Sequence, residues 1–246
     1  GIGRTLAVVL GYQLALPLLA LAAFAALGLA GTPYAVAFTL MLAAPSVTGS
    51  PNIAILLGHA PEPAFRLLIL GTALLPLTVV PVFWLSPALG DLAAALWAAA
   101  KLLLSIWLAI GLAFGVRHLV QPELKAAQSH ALDGVMSIAL AVIVVGLMSA
   151  VGPALQSQPW GVLRWLLLVL VANLGLQGLA FGWLRRHVSA PEAVPFAIVA
   201  GNRNVALFFV ALPVVHSPEF LIFLGCYQIP MYLTAIVMRP LFLRRP

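Results

Sequence analysis

Charge is what this 246-residue sequence has least of: 7% of its residues are Asp, Glu, Lys or Arg. A water-soluble domain carries several times that on its surface, so the composition excludes one. Its six acids, Glu62, Asp91, Glu123, Asp133, Glu192 and Glu219, all fall near the ends of apolar segments. That excludes a carboxylate proton relay or carboxylate cation site at membrane depth. One cysteine, Cys226, excludes an internal disulfide and leaves a lone thiol in an apolar setting. There is no His-Glu-x-x-His, no phosphate-binding glycine loop and no Gly-x-Ser-x-Gly. The five histidines are scattered near segment ends without metal-ligand spacing. These absences argue against an enzyme, a cofactor and a metal site.

What is present is hydrophobic: 63% of residues, with a mean hydropathy of +1.13. The apolar segments run to about 20 residues, enough for a hydrocarbon core of about 30 Å. They do not alternate apolar and polar residues as the strands of a membrane barrel would. The composition therefore predicts an all-α polytopic membrane protein whose first partner is the lipid bilayer. Eight spans are expected, at 5–30, 33–59, 64–85, 92–116, 134–152, 161–184, 194–215 and 219–238. With that count, Arg4, Arg66, Arg117, Lys125, Arg185, Arg186, Arg239, Arg244 and Arg245 fall on one side and Arg164 on the other. This bias predicts both ends in the cytoplasm and the chain in a plasma membrane. The net charge of +6 then reports orientation, not affinity for nucleic acid.

Two of the spans are interrupted. The second carries Ala44-Pro45-Ser46-Val47-Thr48-Gly49-Ser50-Pro51-Asn52, and the seventh carries Gly201-Asn202-Arg203-Asn204. Paired interruptions of this kind point to a binding site in a transporter. An arginine at that depth costs about 3 kcal/mol or more unless it faces protein, water or a ligand. The breaks also lead into similar sequences, Asn52-Ile53-Ala54-Ile55-Leu56-Leu57 and Asn204-Val205-Ala206-Leu207-Phe208-Phe209. Nine residues beyond each asparagine stands a proline, Pro61 or Pro213. By the span count the two segments run in opposite directions, which predicts inverted-topology repeats with two discontinuous crossover helices. Breaks that cross would aim two half-helix N-termini, whose free N–H groups favour an anion, at one place. Arg203 would add fixed positive charge there. Asn202, Asn204, Asn52, Thr48 and Ser50 would contact polar groups of a substrate. Gln13, Asn173 and Gln177 read as interhelical hydrogen-bonding residues, and Lys101 as a side chain that snorkels toward the interface.

The first interrupted stretch resembles the first crossover of the bile acid:sodium symporter family. Gly201-Asn202-Arg203-Asn204-Val205-Ala206-Leu207 is similar to the second, and Tyr227-Gln228-Ile229-Pro230 to the closing helix of that family's bacterial relatives. The order and lengths of the spans are similar along the whole chain. The resemblance implies a ten-helix fold of which this chain corresponds to helices three to ten. A core, residues 5–85 and 161–238, would carry crossovers 45–52 and 201–204, and residues 92–152 would form part of a panel beside it. It implies alternating access, core against panel, moving a small organic anion across a bacterial-type inner membrane. Where sodium-coupled members place a glutamate and a glutamine around the second crossover, this sequence has Val199 and Arg203; where they place two hydroxyl ligands it has Phe65 and Ile69. Asn52 and Gln13 remain as a residual ion site. The resemblance thus implies that most sodium ligands are absent and that sodium coupling is in doubt. Arsenite exporters related to the family carry a cysteine at the first crossover, and this sequence has none there. Two other classes stand against transport. A sensor or assembly subunit predicts a sealed crossing around Arg203. An intramembrane enzyme on a lipid-like substrate predicts acids or histidines gathered at a cleft.

Overall fold

A computed structural model describes residues 1–120 and 126–243; Glu123, Lys125, Arg244 and Arg245 lie outside them. Among the described residues the architecture is all helical. Helix α1 (Ile2–Leu10), a π-helical turn (Gly11–Ala15) and α2 (Leu16–Ala26) form one continuous apolar unit. Helices α3 (Pro33–Ala43) and α4 (Ser50–Leu56) are separated by the first break. Then come α5 (Glu62–Trp84), α6 (Leu92–Val120), α7 (Ala126–Leu147), α8 (Val151–Ser157) and α9 (Pro159–His187). Helix α10 (Ala190–Gly201) runs into the second break, and two 3₁₀ turns follow, Val205–Val210 and Pro213–His216. Helices α11 (Pro218–Val237) and α12 (Arg239–Phe242) end the described chain. Among the described residues six helical units are long and apolar enough to cross a membrane: Ile2–Ala26, Glu62–Trp84, Leu92–Leu119, Gly134–Ser157, Pro159–His187 and Pro218–Val237.

Local chemistry sets where the helices start. The Thr32 hydroxyl accepts from the Ala35 N–H at 3.3 Å, and Pro33 opens α3. Ser217 and Pro218 repeat the arrangement at α11, with the Phe220 N–H 3.4 Å from the serine oxygen. A first-turn N–H has no helical partner, so proline loses nothing there and the cap satisfies another. The same physics moves the edge of the first break. Expected at 45–52, it occupies residues 44–49, and Ser50, Pro51 and Asn52 belong to α4, with Pro51 in its first turn. The second break is also narrower than 201–204, because Gly201 is the last residue of α10. Beyond it the chain winds as two 3₁₀ turns, Val205–Val210 and Pro213–His216, and not as an α-helix. A second α-helical N-terminus at the crossing, expected from the repeat, is therefore not formed.

Burial separates helices of similar composition. Helix α10 is apolar on all sides and buried from Glu192 through Gly201, packed against α9, α5 and α4. Helix α3 is buried from Val36 to Ala43 apart from Phe38, which is half-buried. Helices α6 and α7 are as apolar, yet Leu112, Phe114, Ile138 and Val142 stand exposed on them. In water such faces would drive aggregation; in a bilayer they are the surface that meets acyl chains.

One ion cluster ties the fold at one end. Glu192, in the first turn of α10, accepts from Arg4 Nη1 of α1 at 2.6 Å, from Arg66 Nη2 of α5 at 2.8 Å and from the Ser189 hydroxyl at 2.8 Å. The starts of three helices are thereby held together.

Candidate functional site

The two breaks meet. Ser46 and Arg203 pair as an antiparallel bridge. The Val47 N–H donates to the Asn202 carbonyl at 3.1 Å, and the Asn204 N–H donates to the Pro45 carbonyl at 2.8 Å. Each broken segment thus supplies the other with backbone partners that a continuous helix would have supplied itself. In hydrocarbon such pairing is obligatory, because there is no water to answer an open backbone.

The carbonyls at the end of α10 are met one by one. Ile198 accepts from the backbone N–H of Asn202 at 3.1 Å and from its amide Nδ2 at 2.9 Å. Ala200 accepts from Arg203 Nε at 3.0 Å. Gly201 accepts from Asn173 Nδ2 of α9 at 2.6 Å and from the Tyr227 hydroxyl of α11. The Asn202 side chain also meets Thr234 Oγ1 at 3.3 Å. Gln177 Nε2 donates to Asn173 Oδ1 at 2.7 Å and to Thr234 Oγ1 at 3.1 Å. Asn173, Gln177, Asn202 and Thr234 are all buried, so this network joins α9, α10 and α11 without water. It leaves no room at Gly201: a Cβ there would strike the Asn173 carbonyl oxygen and come within 2.8 Å of Gln177 Cγ.

Arg203 is only 2% exposed, and its side chain turns into this packed region. Nε takes Ala200 and Nη1 takes the Ala44 carbonyl at 3.2 Å, while the guanidinium carbon sits 4.7 Å from the centroid of the Tyr12 ring. The Tyr12 hydroxyl donates to the Phe196 carbonyl at 3.2 Å, which fixes the ring. No acid pairs with the guanidinium among the described residues.

On the other side of the crossing lies a cavity of about 640 Å³. Its far wall is Leu102, Ile106, Ile110, Leu140, Ile143 and Leu147 of α6 and α7; its near wall is the crossing itself, with Val47, Thr48, Gly49, Asn52, Asn204 and Val205. Thr72, Ser105, Gln228 and Tyr232 add hydroxyl and amide groups. Among the described residues no aspartate, glutamate, histidine or cysteine is in the lining. A pocket of this size, mostly apolar with a few neutral polar groups, suits a small molecule with an apolar body and a polar end.

The expected site residues divide between the two sides. Thr48, Asn52 and Asn204 line the cavity. Asn202 belongs to the packed network, and Ser50 is buried with its hydroxyl unpaired by protein and away from the cavity. Arg203 touches the lining, but the groups that hold its guanidinium, Ala44, Ala200 and Tyr12, do not line it. The charge is therefore set behind the cavity wall. Gln13, buried in the π-helical turn, rests against Gly71, where a Cβ would sit 2.7 Å from its Nε2; it does not join Asn52 at the cavity. Lys101 also stays out of the cavity and places its ammonium 5.6 Å from the Trp97 ring centroid, one turn back on α6. Residues with no sequence expectation attached, Tyr12, Thr234, Thr72 and Ser105, complete the two sides. Their signal was a polar group inside an apolar span, the same signal that marked Asn173 and Gln177. No family model matches the chain, and no curated protein matches it in sequence.

Proposed function

We propose that the chain is a secondary membrane transporter that carries a small organic anion by alternating access, in the manner of the bile acid:sodium symporter family. The observation that carries this reading is the cavity: it lies where two interrupted apolar segments cross, with α6 and α7 as its opposite wall. Binding between a crossing and a separate helix pair is what movement of one against the other would expose to alternate sides. In this reading the segments α3–α4 and α10 with its 3₁₀ continuation complete eight spans with inverted repeats. Both ends then lie in the cytoplasm of a bacterial-type inner membrane. The joining of Arg4, Arg66 and Glu192 at one end supports that alternation, since the starts of the first, third and seventh spans would share a side.

The sign of the substrate follows from the charge balance. Glu192 and Arg203 are the charged residues buried among the described ones. Glu192 is neutralised by two arginines, whereas Arg203 has no acid. Carbonyl dipoles and the Tyr12 ring solvate the guanidinium but carry no formal charge, so a net positive charge remains behind a low-dielectric wall and favours an anion in the cavity. Thr48, Asn52, Asn204 and Gln228 would orient its polar end, and the leucines and isoleucines of α6 and α7 would cover its body.

A sensor or assembly subunit would need a sealed crossing with Arg203 fully satisfied; backbone carbonyls take Nε and Nη1, but Nη2 is buried without a partner. The open side toward α6 and α7 favours transport. A lining without acids or histidines speaks against the lipid-modifying enzyme. Flux into proteoliposomes tests the proposal, using an aromatic carboxylate, its neutral amide and its amine analogue, in sodium or choline buffer. Saturable uptake of the carboxylate, equal in both buffers and at least about tenfold above the amide, is expected, a difference of roughly 1.4 kcal/mol. Sodium-dependent uptake that survives Arg203→Ala would overturn it.

A further inference from the structure

Two helices end at the crossing, and one carbonyl near each end, Ala44 and Ala200, faces the same guanidinium. Helix α3 stops at Ala43, and Ala44 turns extended, with ψ of 149°; helix α10 stops at Gly201. The last carbonyls of a helix lack helical partners and together carry about half a negative charge. At the end of α10 the Ile198 and Gly201 carbonyls are met by Asn202, Asn173 and Tyr227, whereas the Ala200 carbonyl and the Ala44 carbonyl just beyond α3 are left to the guanidinium. Carbonyl oxygens arranged this way are what a monovalent cation binds when it sheds its hydration shell.

At this place the chain has put its own cation. Arg203 Nε and Nη1 take one carbonyl from each helix end, Ala200 at 3.0 Å and Ala44 at 3.2 Å. The Tyr12 ring lies against the guanidinium from a third element and adds a cation–π contact. Two carbonyl dipoles and an aromatic face are the parts of a receptor for a positive charge, and here the occupant is covalently attached.

We propose that Arg203 is a tethered cation: its guanidinium permanently fills the place between the Ala44 and Ala200 carbonyls where the two helix ends would otherwise collect a free monovalent cation, and its removal opens that place to one. Arg203 is in this sense a positioning residue. It joins the two broken segments and makes the joint independent of ions in solution. The proposal concerns the joint and not the cavity, so it stands or falls separately from the transport reading.

The test is thermal stability of purified, detergent-solubilised full chain in choline, sodium, potassium or millimolar guanidinium chloride. Wild-type protein and Arg203→Lys, which keeps the charge, are expected to melt at the same temperature in all four salts. Arg203→Ala is expected to melt several degrees lower in choline and to recover at least half of that loss in guanidinium or in one of the alkali salts. Arg203→Gln can still donate to one carbonyl but carries no charge; it is expected to show the same recovery from a smaller loss. If the alanine variant yields no folded protein in choline, the glutamine variant decides. Folding of both only in the presence of a small cation supports the proposal. Variants that respond to no cation, that fail to fold in every salt, or that gain no more from cations than the wild type gains, overturn it.

Discussion

The crossing has two faces that use similar side chains in opposite ways. Toward α9 and α11, polar side chains are committed to protein: Asn173, Asn202, Tyr227 and Arg203 all bond to backbone at the end of α10 or in the second break. Toward α6 and α7, Thr48, Asn52, Asn204 and Gln228 border an open cavity. Asn202 and Asn204 are two residues apart and fall on different faces. In a regular strand residues i and i+2 would share a face; here the backbone turns, from φ of −99° and ψ of 93° at Asn202 to φ of −89° and ψ of 70° at Asn204, where the 3₁₀ winding begins. A polar residue at a helix break is thus not by itself a ligand-binding residue; the local course of the backbone and the neighbours it meets decide which of them face the cavity.

The comparison predicts that damage to the packed face shows up as instability and damage to the open face as altered binding. The largest effect should come from Gly201→Ala. The new Cβ would meet the Asn173 carbonyl and Gln177 Cγ, backbone and a buried side chain that have nowhere to go. Overpacking of that kind costs about 3 kcal/mol or more. Loss of the monodisperse peak on gel filtration is expected; a well-folded variant would show that the packed face is looser than its hydrogen bonds imply.

Asn202→Ala should come next. It removes a donor to the Ile198 carbonyl and the links to Asn173 and Thr234 without adding bulk. Leaving buried polar groups unmet costs about 2 kcal/mol, a fall in melting temperature of roughly 4–8 °C for a chain of this size. A shift below about 1 °C would mean that the network carries little of the stability assigned to it here.

On the open face the pattern should invert. Asn204→Ala and Asn52→Ala remove groups that border the cavity, so each is expected to change stability by less than about 0.5 kcal/mol. Each should weaken binding or uptake of the proposed anionic substrate about tenfold, the worth of one good hydrogen bond of roughly 1.4 kcal/mol. The readout is the paired measurement, melting temperature against half-saturation, on the same preparation. Variants that lose stability and keep affinity would erase the distinction between the two faces.

Much of this was legible in the residues. Long apolar segments and scarce charge declare membrane helices, and Pro45, Gly49, Gly201 and Arg203 declare where helices fail. The direction of the Arg203 side chain was not legible, because it depends on carbonyls and a ring contributed by residues 44 and 12, far away in the chain. Nor was the 3₁₀ winding of Val205–Val210: its sequence resembles Asn52–Leu57, which is largely α-helical, so only packing separates them. Sequence likewise fails to separate α10 from α7. Both read as apolar, and burial in protein or exposure to lipid is a property of neighbours.

The smallest effect should come from the ion cluster, and it sharpens the comparison because it lies on the packed side at the far end of α10 from the crossing. Burial pushes the Glu192 carboxyl upward, but the hydrogen bonds from Arg4 and Ser189 and the charge of Arg4 outweigh it and hold the group below its ordinary value of 4.5. A depressed carboxyl contributes stability that is fully present above the unfolded value and is lost as pH falls through the folded one. Wild-type protein should therefore lose this increment in acid below about pH 4. Glu192→Gln should lack it at every pH, so that the two melting curves differ at neutral pH and converge in acid. The arginines are nearly half exposed, 46% and 41%, so solvent screens the pair and the difference should be about 1 kcal/mol, or roughly 2–4 °C. Ligand affinity should not move, because α10 transmits nothing from Glu192 to the cavity except the position of its own end, and that end is fixed by Asn173, Tyr227 and Arg203. Weaker binding in Glu192→Gln at neutral pH would show instead that the crossing shifts when the clasp opens, and that the packed face is a lever on the open one.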